Sequence, residues 1–170
     1  MIVKTVQGKT PQLRGAYLAE DVSVIGDVTV EENASIWYGA VLRGDVDKIV
    51  IGANTSIQDN SVVHCATGMP TIIGKNCVVG HNAILHSCTV EDGCLIGMGA
   101  VLLDGCHIGA GSIVAAGSVV SPRKVIPPNS MVMGVPGRVT RDLTDKDQEA
   151  TAWSVQHYLA YAQEQMERQD

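Results

Sequence analysis

The chain has 170 residues, of which 45% are hydrophobic and 4% are aromatic, and it carries a formal net charge of -6 at pH 7. This length fits one compact domain, or one domain with a small appendage, and the hydrophobic content excludes a disordered chain. The negative charge disfavours a general nucleic-acid binder. Because the sequence shows no membrane-length apolar stretch and no signal-peptide pattern, we expect a soluble, cytoplasmic protein without membrane or nucleic-acid partners.

Branched apolar residues recur at intervals of six from residue 24 onwards. The longest uninterrupted run is Val90, Ile96, Leu102, Ile108, Val114 and Val120. The residue four positions later is usually small, as Cys94 and Ala100 illustrate. A period of six matches neither a helix nor an alternating strand, and it is typical of a parallel β-helix in which three hexapeptides form one triangular rung. We therefore predict an all-β solenoid over about residues 12–135, in preference to a β-sandwich with regular turns.

The six-residue register is interrupted three times between residues 42 and 90. Three residues are inserted after Leu42, four are inserted after Val63, and one is missing after Leu85. Interruptions of a solenoid commonly gather on one side and carry function. Three of the five histidines of the chain lie in this interrupted region, so we place the candidate site there.

The spacing of these histidines predicts a metal site shared between subunits. His64 and His86 follow equivalent apolar residues of successive rungs, so they should stack at one corner with Arg43, about 4.8 Å apart. His81 lies five residues before His86, roughly 16 Å away along an extended strand. A homotrimer of parallel prisms would bring His81 of one chain to the His64–His86 pair of the next. Three imidazoles with an open fourth position suit catalytic zinc, although Fe²⁺ or Co²⁺ also accept these ligands.

Other potential metal ligands fit this pattern less well. Cys65 should point to the opposite face of its strand from His64, which excludes it as a fourth ligand. His107 and His157 belong to no such constellation. The cysteines that occupy the small position of the repeat are predicted to be buried and reduced. Three unrelated surface or core histidines remain the alternative to the metal site.

The last part of the chain leaves the repeat and forms a helix. Pro127, Pro128 and Pro136 interrupt the solenoid pattern. Thr144 is the expected helix N-cap, with Asp147 three residues later. An apolar stripe at helical spacing should pack on the prism or on a neighbouring subunit, and it consists of Ala152, Val155, Leu159, Ala162 and Met166. The predicted parts are therefore a β-helix domain, residues 1–140, and a C-terminal helix, residues 141–170.

Four segments make nearly the whole chain resemble the gamma-class carbonic anhydrases and their bacterial relatives. They are LRGDVDKIVIG, SIQDNSVVH, VGHNAILH and IGMGAVLLDG. The resemblance implies a left-handed β-helix that assembles into trimers, with zinc held between subunits at His64, His81 and His86. It implies reversible hydration of carbon dioxide to bicarbonate by a zinc-bound hydroxide.

The resemblance also suggests supporting residues for this reaction. Arg43 and Asp45 match a pair that forms an interface salt bridge in the family. Gln58 and Asp59 match a pair before the first ligand, and Gln58 would hydrogen-bond the metal-bound water. Tyr158 matches a tyrosine that short relatives place near the metal. The simpler alternatives are turn residues for both aspartates and a packing role for Tyr158.

The sequence departs from the family archetype at two acidic positions that help to move protons. Val46 and Thr67 stand where that enzyme has glutamates, and the loop CATGMP contains no acid. Proton transfer is therefore the step for which the sequence offers least support, and Tyr158 is the candidate substitute. Three other functions stay open, namely a hexapeptide-repeat acyltransferase, a coenzyme A thioesterase or accessory protein, and a noncatalytic metal-bound trimeric scaffold.

Overall fold

The six-residue repeat winds the chain into a left-handed parallel β-helix of about seven turns, which is followed by one helix. This computed structural model describes residues 1–168. The first strands are β1 (Ile2–Lys4), β2 (Gln12–Leu13), β3 (Tyr17–Leu18), β4 (Ser23–Val30), β5 (Ser35–Ile36), β6 (Val41–Ile51), β7 (Ser56–Ile57), β8 (Val62–His64), β9 (Thr71–Ile73) and β10 (Val78–Val79). The remaining elements are β11 (Ile84–His86), β12 (Thr89–Val90), β13 (Leu95–Ile96), β14 (Val101–Leu102), β15 (His107–Ile108), β16 (Ile113–Val114), β17 (Val119–Val120), β18 (Val125–Ile126), β19 (Ser130–Met133), β20 (Arg138–Asp142) and α1 (Asp145–Glu167).

The strands form three faces of a triangular prism. Face 1 contains the first halves of β4 and β6, then β8, β11, β14 and β17. Face 2 contains the second halves of β4 and β6, then β9, β12, β15 and β18. Face 3 runs from β3 through β5, β7, β10, β13 and β16 to β19. Pairing within these faces is parallel, and β20 closes the end of face 3 as an antiparallel neighbour of β19.

Aliphatic side chains stacked along the prism axis form the core. The inward positions predicted from the six-residue repeat are all at most 1% exposed, and those on the central rungs are Leu42, Ile51, Ile57, Val63, Ile73, Val79, Leu85, Val90, Ile96 and Leu102. The small repeat positions Cys77, Ala83 and Cys94 are fully buried. The hexapeptide prediction is therefore confirmed in fold and in register.

The three interruptions of the repeat have distinct local structures. The residues inserted after Leu42 let β6 continue from face 1 to face 2 without ending in a turn. The loop CATGMP folds back on itself, and Ala66 pairs with Met69 through an antiparallel bridge. The missing residue after Leu85 leaves a tight corner in which Ser87 adopts a positive φ of 49°. All three therefore change the corner between faces 1 and 2.

The C-terminal helix packs against face 3, where it contacts β3, β5, β7 and β10. Its predicted N-cap is confirmed, because Thr144 and Asp147 form a capping box in which each side chain accepts from the other's backbone N–H. Val155 and Ala162 are buried as expected, whereas Ala152 is exposed within a single chain and Thr151 is buried. The last two residues of the predicted segment 141–170 lie outside the described residues. Within residues 1–168, no helix combines the length and apolarity needed to cross a membrane.

Candidate metal centre

The corner between faces 1 and 2 stacks the residues that the sequence placed there. Parallel pairing sets Arg43 opposite His64, and His64 opposite His86. The two imidazole centroids lie 5.0 Å apart. Nδ1 of His64 lies 3.1 Å from Nε2 of His86. One nitrogen of each ring therefore faces the same small space.

Asp45 is hydrogen-bonded to the other ring nitrogen of His64. Its Oδ1 lies 2.9 Å from Nε2 of His64, and Arg43 donates to its Oδ2. Desolvation raises the pKa of Asp45, but the hydrogen bonds from His64 and Arg43 outweigh this effect, so the pKa falls below its usual value. The ionised carboxylate accepts the Nε2–H of His64, which leaves the Nδ1 lone pair facing His86.

Asp104 pairs with His86 in the same way, although its position in the sequence did not mark it as a site residue. Its Oδ1 lies 2.5 Å from Nδ1 of His86. With the proton on Nδ1, the Nε2 lone pair faces His64. Two lone pairs at this separation repel each other unless a cation or a shared proton lies between them. The segment LLDG could have indicated Asp104. This residue follows β14, the strand that pairs with β11 on the next rung, so it must lie near His86.

His81 lies at a different corner, between faces 3 and 1. It follows β10, and its Nδ1 lies 2.7 Å from Oδ2 of Asp59, one rung earlier. The backbone is tightly packed here, since a Cβ on Gly80 would lie 2.7 Å from the amide nitrogen of Met98. Asp59 therefore has a definite side-chain partner in His81.

A groove between α1 and the prism connects His81 to the helix. Gln58, Tyr158 and His157 line it together with His81, and Gln58 is only 5% exposed. Burial raises the pKa of Tyr158, and the charge of Asp59 adds to this, while the Gln58 side chain acts in the opposite direction. The Tyr158 hydroxyl is therefore protonated at neutral pH.

Other side chains considered from the sequence lie apart from this centre. Cys65 is fully buried, and its Sγ donates to the Asp47 carbonyl at 3.1 Å, so it points away from His64 as predicted. His107 instead pairs with Glu91 at 2.7 Å. Val46 and Thr67 are both exposed. Among residues 1–168 of one chain, no three His, Cys, Asp or Glu side chains are grouped closely enough to hold a metal ion.

The chemistry of the donor set fits a transition metal. His64, His81 and His86 each have one ring nitrogen against a carboxylate, namely Asp45, Asp59 and Asp104. A carboxylate that accepts one N–H fixes the imidazole tautomer and makes the other nitrogen a better ligand. Neutral imidazoles held in this way are typical of zinc centres.

Comparisons with known proteins agree with the repeat and identify relatives named as carbonic anhydrases. The profile of the family "Bacterial transferase hexapeptide (six repeats)" matches residues 87–122. The "Probable carbonic anhydrase" of Methanocaldococcus jannaschii is 51% identical over 130 residues, which cover 76% of this chain and 82% of that protein. "Gamma carbonic anhydrase 3, mitochondrial" of Arabidopsis thaliana is 49% identical over 75 residues, but these are 40% of this chain and 29% of the plant protein. The crystal structure of a "hexapeptide transferase family protein" from Anaplasma phagocytophilum matches with a TM-score of 0.92 and 38% identity, covering 95% of this chain and 96% of that one.

Proposed function

This chain belongs to the gamma-class carbonic anhydrase-like family of hexapeptide-repeat proteins, and from this premise we propose that it catalyses the reversible hydration of carbon dioxide to bicarbonate. The observation that carries the proposal is the 3.1 Å approach of His64 Nδ1 to His86 Nε2, with a carboxylate behind each ring. The relatives named as carbonic anhydrases support the reaction class.

In this proposal the metal centre lies between two subunits of a homotrimer. His64 and His86 of one subunit would hold the ion together with the partner subunit's His81. The argument is geometric, because β10 and β11 place His81 and His86 at opposite edges of face 1. Closed threefold symmetry would create three equal interfaces, each with one site. Zinc is the metal we propose, and Fe²⁺ or Co²⁺ would accept the same three donors.

Zinc held by these residues would supply Lewis acidity, which makes water a nucleophile at neutral pH. The chain's own residues prepare the donors for this chemistry. Asp45 and Asp104 accept hydrogen bonds from His64 Nε2 and His86 Nδ1, which would orient each ring and direct its other nitrogen towards the ion. Arg43 orients Asp45 through its second oxygen. Asp59 performs the corresponding role for His81.

Gln58 and Tyr158 would act on the substrate side of the centre. The carbonyl oxygen of the Gln58 amide can accept a hydrogen bond from an attacking water and so orient the lone pair of that water towards carbon dioxide. Tyr158 lines the same groove. Since its pKa is raised, Tyr158 would relay a proton through its hydroxyl group and not act as a free base. The final acceptor would be buffer, because no glutamate stands at Val46 or Thr67.

Acyl transfer or thioester hydrolysis is the second candidate function. It is favoured by the match to the hexapeptide transferase structure, which extends over almost the whole length of both chains. Such a reaction needs a histidine free to take a proton from an acceptor or from water. The carboxylate-paired histidines of this corner could serve in that way, so the two functions must be separated by assay.

The decisive experiment measures carbon dioxide hydration by stopped flow on the zinc-loaded full chain, beside hydrolysis and transfer assays with acetyl-coenzyme A. We expect hydration in the wild type and its loss, together with loss of zinc, in His81→Ala. His107→Ala is the matched control, since it removes an imidazole paired with Glu91 on face 2, and it should retain both properties. Fully zinc-loaded wild type that hydrates no carbon dioxide at any buffer concentration would overturn the proposal.

A further inference from the structure

The residue missing from the rung of His86 creates an unequal corner between neighbouring rungs. Gly105 N donates to Ser87 O at 2.6 Å, which aligns the two rungs just after β11 and β14. Between the pair Leu85–Leu102 and this hydrogen bond, the rung of His86 has one residue, His86 itself, whereas the next rung has two, Leu103 and Asp104. Asp104 therefore has no counterpart beneath it, and its side chain reaches across to His86.

Asp104 makes a direct hydrogen bond to His86. Its Oδ1 lies 2.5 Å from Nδ1 of His86, which is closer than the roughly 2.7–2.9 Å of most charge-assisted N–H···O hydrogen bonds. The Ser87 hydroxyl is farther from the same nitrogen, at 3.4 Å. That hydroxyl already accepts the backbone N–H of Ala66 at 2.7 Å. Asp104 is thus the principal partner of His86 Nδ1.

The two stacked rings are held through different nitrogens. Asp45 occupies Nε2 of His64, whereas Asp104 occupies Nδ1 of His86. Only this combination leaves Nδ1 of His64 and Nε2 of His86 facing each other at 3.1 Å. If His86 carried its proton on Nε2 instead, that N–H would occupy the space between the rings and would donate to His64.

We infer that Asp104 is a positioning residue, which fixes the tautomer and orientation of His86 so that its Nε2 lone pair is available beside His64. The inference rests on the proposed function for its purpose, because a metal ion is what these two lone pairs would share. Loss of such an outer carboxylate costs about 10–100-fold in metal affinity. Asp104→Ala should show this loss, and Asp104→Asn should lose less because its amide oxygen still accepts the Nδ1–H.

Two measurements on the full chain test the inference. The first uses ¹⁵N imidazole chemical shifts of the metal-free protein to identify which nitrogen of His86 is protonated. We expect the Nδ1–H form in the wild type and in Asp104→Asn, and a mixture of tautomers in Asp104→Ala. The second uses chelator competition to measure the dissociation constants of Zn²⁺ and Co²⁺, together with the visible spectrum of the Co²⁺ form. Its expected result is affinity weakened about 10–100-fold in Asp104→Ala, with an altered spectrum.

Asp92→Ala is the matched control, because Asp92 accepts the backbone N–H of Lys75 at a corner without histidines. It removes the same charge and should leave the His86 tautomer and the metal affinity unchanged. Wild-type affinity and an unchanged spectrum in Asp104→Ala would overturn the role of Asp104 while leaving the proposed function intact. An Nε2–H tautomer in the wild type would overturn it as well. Wild-type protein that binds neither Zn²⁺ nor Co²⁺ would overturn both the role of Asp104 and the proposed function. This result would be seen with the wild type alone, before any variant is measured. If Asp104→Ala fails to fold, the smaller loss expected in Asp104→Asn decides the test.

Discussion

Two variants that each lack a complete metal centre should restore one another when their subunits are mixed. His81→Ala removes one of the proposed ligands, and His64→Ala removes another from a different corner of the same chain. In a mixed trimer, one interface combines His81 from the His64→Ala chain with the intact His64 and His86 of the His81→Ala chain. Such an interface has all three ligands although neither parent protein has any complete site.

The size of this recovery follows from the separation of the two corners. His81 and His86 are five residues apart along an extended path, roughly 16 Å, so one chain cannot supply all three ligands to one ion. With equal amounts and random exchange, each interface has a chance of one half of drawing the right chain on either side. About one quarter of all interfaces should then be complete in a cyclic trimer. Zinc content and hydration rate should both recover to about a quarter of the wild-type value.

The assay requires proof of subunit exchange and a control mixture. Exchange after mild denaturation is verified by native mass spectrometry of differently tagged chains. The control mixes His64→Ala with His86→Ala, whose lesions share one corner, so no interface can regain three ligands. Mixed trimers of His81→Ala and His64→Ala that bind no more zinc than their parents would refute the intersubunit site. A monomeric wild type that retains its metal would refute it equally.

Three further outcomes are expected. Tyr158→Phe should lower hydration at low buffer concentration without loss of zinc, because it removes only the hydroxyl group, and unchanged turnover would exclude the relay. Wild-type turnover should rise with a small imidazole buffer, and the double variant Val46→Glu, Thr67→Glu should be less buffer-dependent; fast, buffer-independent wild-type turnover would reveal a different shuttle. Thr144→Ala should destabilise the protein by about 1 kcal/mol through loss of the helix cap, as measured by urea unfolding, whereas equal stability would deny the cap a role.

The parts of the structure that depend on periodicity could be predicted from the sequence. A six-residue repeat determines which side chains point inward, so Leu85 and Leu102 were placed correctly on neighbouring rungs. The same six-residue count predicted that His64 stacks on His86, because both follow inward residues on one face. A local capping pattern likewise located Thr144, since its partner lies only three residues away.

The parts that depend on contacts between corners could not be predicted in this way. Asp104 was missed because its reach to His86 depends on one missing residue in the rung beside it, which the repeat pattern marks only as an irregularity. Asp59 was recognised by resemblance, but its pairing with His81 requires the register of two corners. The burial of Thr151 beside the exposed Ala152 could not be predicted, because the apolar stripe does not determine how the helix is rotated against face 3.

The C-terminal helix has a length that matches the stack beside it. Its 23 residues span about 34 Å, and about seven turns of the β-helix at 4.8 Å each give nearly the same height. Gln148 near its start bonds to Asn129, and Met166 near its end packs on the core close to the other end of the prism. The length of the helix thus matches the number of rungs. Deleting one rung after β14 would shift it by about three residues and carry Tyr158 away from Gln58. The number of repeats, which many solenoids vary freely, is therefore coupled here to the position of Tyr158 beside Gln58, several rungs away.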